Sequence, residues 1–114
     1  MDLQIADKTA LVTASSSGIG LAAATALAAE GAIVVLNGRD GDRLKQAEEQ
    51  LRTHVPTASV RLVVADVGTG DGVRAVAAAV PAVDILVNSV GAYPSVISNT
   101  SKPAWTQAVL ITRQ

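Results

Sequence analysis

The sequence has 114 residues, 49% apolar and 17% charged, which suffices for one domain with a packed core and not for two. Nine Lys and Arg against ten Asp and Glu give a formal charge of −1, without the basic excess that neutralises phosphate backbones, so no nucleic-acid partner is expected. Zero cysteines and a single histidine, His54, exclude disulfides, thiol chemistry, cysteine metal sites and any two-histidine metal motif. The longest apolar stretches, residues 32–36 and 75–80, fall far short of the roughly 20 residues that a spanning helix needs, so no membrane partner is expected. The opening Met1-Asp2-Leu3-Gln4 lacks the basic and apolar regions of a signal peptide and predicts a cytoplasmic protein. Aromatic residues are only 2%, with no Phe, so the core must be built from Ala, Val, Leu and Ile.

Taken in chain order, Thr9-Ala10-Leu11-Val12-Thr13 predicts a buried strand, and Ser15-Ser16-Ser17-Gly18 predicts the loop that follows it. Residues 19–30 are Ala-rich and predict a helix with Ile19, Ala23, Ala26 and Leu27 on its buried face, stopped by Gly31. Residues 32–37 predict a second strand. Asp40 then caps a second helix with an apolar stripe of Leu44, Ala47 and Leu51 and with Lys45/Glu49 and Glu48/Arg52 pairs on its wet side. A third strand is expected over residues 60–65. Thr69 caps a third helix carrying Val73, Val76, Ala77 and Val80 on one face, and Pro81 forbids its extension. Residues 83–88 predict a fourth strand. Beyond Gly91 the pattern fades, with a weak helical stripe of Ala104, Ala108 and Ile111 over residues 103–111.

Strands that are apolar on both sides, alternating with helices, specify a parallel sheet covered on two faces. The right-handed crossover rule then gives the order 3-2-1-4, with the first two helices on one face and the third on the other. Such a sheet would leave the fourth strand with an open edge beside Val83, Ile85 and Val87, from which a homo-oligomer is expected.

A parallel strand, a Gly-rich turn and a helix N-terminus form the arrangement in which backbone N–H groups and the helix dipole favour a pyrophosphate. The turn here is Thr13-Ala14-Ser15-Ser16-Ser17-Gly18-Ile19-Gly20, and its glycines follow T-G-x-x-x-G-x-G rather than G-x-G-x-x-G. Asn37-Gly38-Arg39 ends the second strand, Asp66-Val67 follows the third and Asn88-Ser89-Val90-Gly91 follows the fourth, so all four signals share the carboxyl edge where open α/β sheets bind ligands. In this set of motifs, residues 8–91 resemble the short-chain dehydrogenase/reductase family, whose corresponding pattern after the fourth strand is N-N-A-G.

The resemblance implies an α/β, Rossmann-like three-layer fold: four parallel strands forming a truncated half of a doubly wound sheet. Residues 1–91 would form the NAD(P)-binding domain and residues 92–114 a tail. The resemblance also implies a cofactor site at Ala14, Ser16, Ser17, Gly18, Ile19 and Gly20 for the pyrophosphate, with Asp66 and Val67 at the adenine and Asn88, Val90 and Gly91 on the ribose side. Where an acid would accept a ribose hydroxyl and repel a 2′-phosphate, this chain has Gly38 and then Arg39, so NADP(H) is favoured over NAD(H). Ala14 departs from the family's first Gly, and its methyl group either tightens the turn or crowds the cofactor.

Catalysis in the family uses a Tyr-x-x-x-Lys pair, and the one tyrosine here, Tyr93, is followed four residues on by Ile97. Trp105 resembles the start of the family's next segment, but Thr112 stands where a site Asn is expected. The implied function is the NADP(H)-binding portion of an oxidoreductase of carbonyl and alcohol substrates, inactive alone, as a fragment or after a change of reading frame. The alternative is a noncatalytic nucleotide-sensing or assembly module acting with a partner chain.

Overall fold

The computed structural model describes residues 5–88 and the strand Val109–Thr112. The apolar run Thr9–Thr13 forms β1, at the centre of a parallel sheet. Ile33–Gly38 forms β2, Ser59–Val64 β3, Ile85–Asn88 β4 and Val109–Thr112 β5, in the order β3-β2-β1-β4-β5. Helices α1 (Gly18–Ala29), α2 (Gly41–His54) and α3 (Gly70–Ala79) are the crossovers. The first four strands thus take the order expected from the crossover rule.

Strand side chains alternate between two cores because their period is two. Ala10, Val12, Val34 and Leu36 face α1 and α2, together with Ala24, Ala28, Leu44, Ala47 and Leu51. Leu11, Val35 and Leu86 face the other way, against Val76 and Val80 at α3. The two faces are therefore divided among the helices as expected. Strand β3 departs from the expected two-sided apolar character: as an edge it exposes Ser59 and Arg61, and the Arg61 guanidinium donates to the Ala79 carbonyl at 3.0 Å.

The buried face of α1 differs from the expected stripe. Gly20, Ala24 and Ala28 are buried, whereas Ile19 is 52% exposed and Ala26 also faces outward. In a helix of nearly uniform Ala content hydrophobic contrast cannot select a face, so side-chain size does: the i, i+4, i+8 row of smallest residues lets the helix approach the sheet closely. By contrast, the predicted stripe of α2 is the observed one, Leu44, Ala47 and Leu51, and Arg52 pairs with Glu48 at 3.0 Å.

A second difference lies after the fourth strand. Val109–Thr112 is a strand rather than part of a helical stripe, and it pairs in parallel with β4, Ile85 with Val109 through Asn88 with Thr112. The β4 edge from which self-association was expected is paired in this way, and the outer strands of the sheet are β3 and β5. Among the described residues no helix is long and apolar enough to cross a membrane.

Candidate functional site

The carboxyl ends of β1, β2 and β3 open into a cleft of about 340 Å³ lined by residues of three successive loops, Ala14, Ser16 and Ser17, then Gly38 and Arg39, then Asp66, Val67 and Gly68. The structure therefore brings Ala14, Ser16, Ser17, Arg39, Asp66 and Val67 together from the expected set. Gly18, Ile19 and Gly20 form the first turn of α1 beside it, with Gly20 buried. Asn88 ends β4 in register with Thr13, is buried, and accepts a hydrogen bond at Oδ1 from the Thr13 hydroxyl at 3.1 Å. Val90 and Gly91 lie outside the described residues.

Two buried polar residues that sequence reasoning passed over hold the loop after β1. Asn37, at the end of β2, donates through Nδ2 to the carbonyls of Val63 and Ala65 at 3.1 and 3.2 Å, and its Oδ1 accepts from the Ala14 N–H at 3.3 Å. Ser15, fully buried, donates to the Val12 carbonyl at 2.7 Å while its hydroxyl oxygen accepts the Asn37 N–H at 2.8 Å. These bonds tie three strand ends to one loop. A lone Asn closing an apolar strand was the only sequence signal, since its partners lie more than 20 residues away.

That loop bends sharply. Ala14 has φ +49, in the left-handed region where a Cβ meets the backbone, so the position given to Gly in the family is occupied here at a cost of about 1–2 kcal/mol. Gly18 has φ +61, and a Cβ built on it would meet nothing within 4 Å, so the space in front of the α1 terminus is open.

The terminus itself is electropositive and unclosed. Ser17, the N-cap residue of α1, makes no side-chain cap bond, and the first turn contains no acid. Helix N-termini carry unsatisfied N–H groups and roughly half a positive charge, so this end faces the cleft as an anion site.

On the opposite wall, Asp66 is held by its own turn. Its Oδ1 accepts from the Gly68 N–H at 2.9 Å, and its carbonyl accepts from the Thr69 hydroxyl at 3.0 Å. The carboxylate stays exposed and can accept from an exocyclic amine such as that of adenine. Gly72 permits this corner, because a Cβ there would stand 1.7 Å from the Asp66 carbonyl oxygen.

Beside the cleft, and sharing Ser16 and Arg39 with it, lies a second cavity of about 400 Å³ whose remaining lining is Asp40 and Arg43. Arg43 was also missed from sequence, where it looks like any surface residue of a charged helix.

An open helix end, an acceptor for an amine and a side pocket with two arginines fit a nicotinamide adenine dinucleotide by the chemistry of their donors and acceptors. Known proteins show the family of the chain. The short chain dehydrogenase family model matches residues 8–112. The uncharacterized oxidoreductase YvaG of Bacillus subtilis is 44% identical over 93 residues, 82% of this chain and 35% of YvaG. The L-sorbose reductase of Gluconobacter frateurii, solved in complex with NADPH and L-sorbose, is 44% identical with a TM-score of 0.71, over 81% of this chain and 36% of that one. The Pseudomonas aeruginosa RhlG/NADP complex is 32% identical with a TM-score of 0.69, over 80% of this chain and 35% of that one. The chain thus spans about a third of the length of these relatives.

Proposed function

The chain belongs to the short-chain dehydrogenase family, and from that premise we propose that it is the NADP(H)-binding portion of an oxidoreductase acting on carbonyl and alcohol groups. The observation that carries the reading is the open N-terminus of α1 facing a cleft whose other walls hold Arg39 and Asp66. In this assignment the first turn, Gly18, Ile19 and Gly20, with Ala14, Ser16 and Ser17 before it, takes the pyrophosphate. Arg39 pairs with the 2′-phosphate, Asp66 and Val67 meet adenine, and Asn88 is assigned to the ribose side, as are Val90 and Gly91, which lie outside the described residues. The preference for NADP(H) is supported by Arg39, which has no ion pair among the described residues, and by the lack of a carboxylate at Gly38.

The bound nicotinamide would supply the hydride, and the residues of this chain would hold and orient it. A Tyr-x-x-x-Lys proton donor is missing from the sequence, which supports binding without turnover by this chain alone.

Calorimetric titration with NADPH and NADH tests the cofactor assignment. One charge-assisted contact of about 1.5–3 kcal/mol corresponds to roughly 10- to 150-fold tighter NADPH binding, lost in Arg39→Ala. Equal affinities in the native chain would overturn it. NADPH absorbance followed across ketones, aldehydes and quinones should show no enzymatic turnover, and turnover lost in Tyr93→Phe would make Tyr93 the acid.

A further inference from the structure

The second cavity deepens the reading of the cleft as a dinucleotide site, and its own assignment rests on that reading. We propose that Arg43 is a second phosphate ligand and that Arg39 and Arg43 form a two-arginine clamp for the ribose 2′-phosphate.

Among the described residues, the pairing of the arginines separates these two from the other three. Arg52 is bound to Glu48 and to the Ala58 carbonyl, Arg61 to the Ala79 carbonyl and Arg74 to Asp71. Among the described residues, Arg39 and Arg43 alone have guanidiniums with neither an ion pair nor a side-chain hydrogen bond. Both line the same cavity, and it adjoins the cleft through Ser16 and Arg39.

The position of Arg43 has no structural rationale of its own. It stands in the first turn of α2, where the helix dipole disfavours a cation, whereas Asp42 beside it has the favoured sign. The charge balance of the cavity explains why one arginine is too few. Asp40 also lines it, and its Oδ1 is fixed there by the N–H groups of Asp42 and Arg43 at 2.9 and 3.3 Å. A phosphomonoester carries a charge of about −1.5 to −2 at neutral pH. Against that charge and the neighbouring carboxylate Arg39 alone leaves an excess of negative charge, and the fork of Arg43 supplies further donors with the geometry that phosphate oxygens accept. The cap bond that the Arg43 N–H donates to Asp40 fixes the backbone from which that side chain extends.

The test compares adenosine 2′,5′-bisphosphate with 5′-AMP, and NADP+ with NAD+, by calorimetry on native, Arg39→Ala, Arg43→Ala and Arg43→Lys chains, each with a thermal melt. Arg43→Ala is expected to weaken the bisphosphate and NADP+ by about tenfold, the size of one charge-assisted contact, with 5′-AMP and NAD+ unchanged. Its melting temperature should be equal or slightly raised, because a misplaced cation has been removed. Arg43→Lys should recover part of the loss, since it keeps the charge and not the fork. Unchanged bisphosphate affinity in Arg43→Ala, alongside a loss in Arg39→Ala, would overturn the clamp and leave the cofactor reading intact. An equal loss for NAD+ and NADP+ would overturn it in favour of a structural role for Arg43. Failure of the native chain to bind either dinucleotide would overturn the underlying reading and the clamp with it.

Discussion

The N-termini of α1 and α2 both follow a parallel strand at the same edge of the sheet, and the chain treats them in opposite ways. At α2, Asp40 accepts from two backbone amides and Asp42 adds an acid to the first turn; α3 repeats the pattern with Thr69 and Asp71. At α1 the cap residue Ser17 accepts nothing with its side chain and no acid is present, although the sequence has three serines in a row there. A side-chain cap contributes about 0.5–2 kcal/mol. At α2 and α3 the chain closes the helix end with its own side chains; at α1 the N–H donors stay open to an anion. Stability and binding therefore compete for the same N–H groups.

The largest effect should come from breaking the closed corner at α3. Gly72→Ala drives a Cβ into the Asp66 carbonyl, a backbone contact that no rotamer relieves, so the corner must shift at a cost of at least about 1–3 kcal/mol. A lower midpoint in urea unfolding checks it, together with weaker NADPH binding as Asp66 moves.

Closing the open helix end sharpens the comparison more directly. Ser17→Asp gives α1 a capping carboxylate of the kind that Asp40 gives α2. It should stabilise the ligand-free chain by about 0.5–1 kcal/mol and weaken NADPH by roughly tenfold or more through repulsion of the pyrophosphate. Opposite signs in the thermal melt and the titration are the expected signature, and a rise in both would contradict the competition between cap and ligand.

The smallest effect belongs to the strained residue of the same loop. Ala14→Gly relieves a left-handed alanine at the expense of a more flexible unfolded chain, for a net gain of about 0.5–1 kcal/mol read as a higher melting temperature.

The strands β1 to β4, the α2 stripe and the caps Asp40 and Thr69 were legible because each rests on local spacing or on one residue's chemistry. The buried row of α1 was not, because Ala and Gly carry little hydrophobic contrast and only contact with the sheet distinguishes Gly20, Ala24 and Ala28. Strand β5 was not legible either: a four-residue segment takes its conformation from the pairing with β4, and strand propensity is set by such context. At the site, the motif residues could be read from spacing. The roles of Ser15 and Asn37 depend on partners brought together only by the sheet. Arg43 became conspicuous only when, among the described residues, the guanidiniums of Arg52, Arg61 and Arg74 each had a partner and those of Arg39 and Arg43 had none.

The claim that the open end of α1 receives the dinucleotide pyrophosphate is tested most directly by following backbone amide resonances during titration with NADP+. The largest shifts are expected at Ser17, Gly18, Ile19 and Gly20, with smaller ones at Asp66, Val67 and Gly68 across the cleft. Saturable binding that leaves the amides of residues 17–20 unmoved would contradict it.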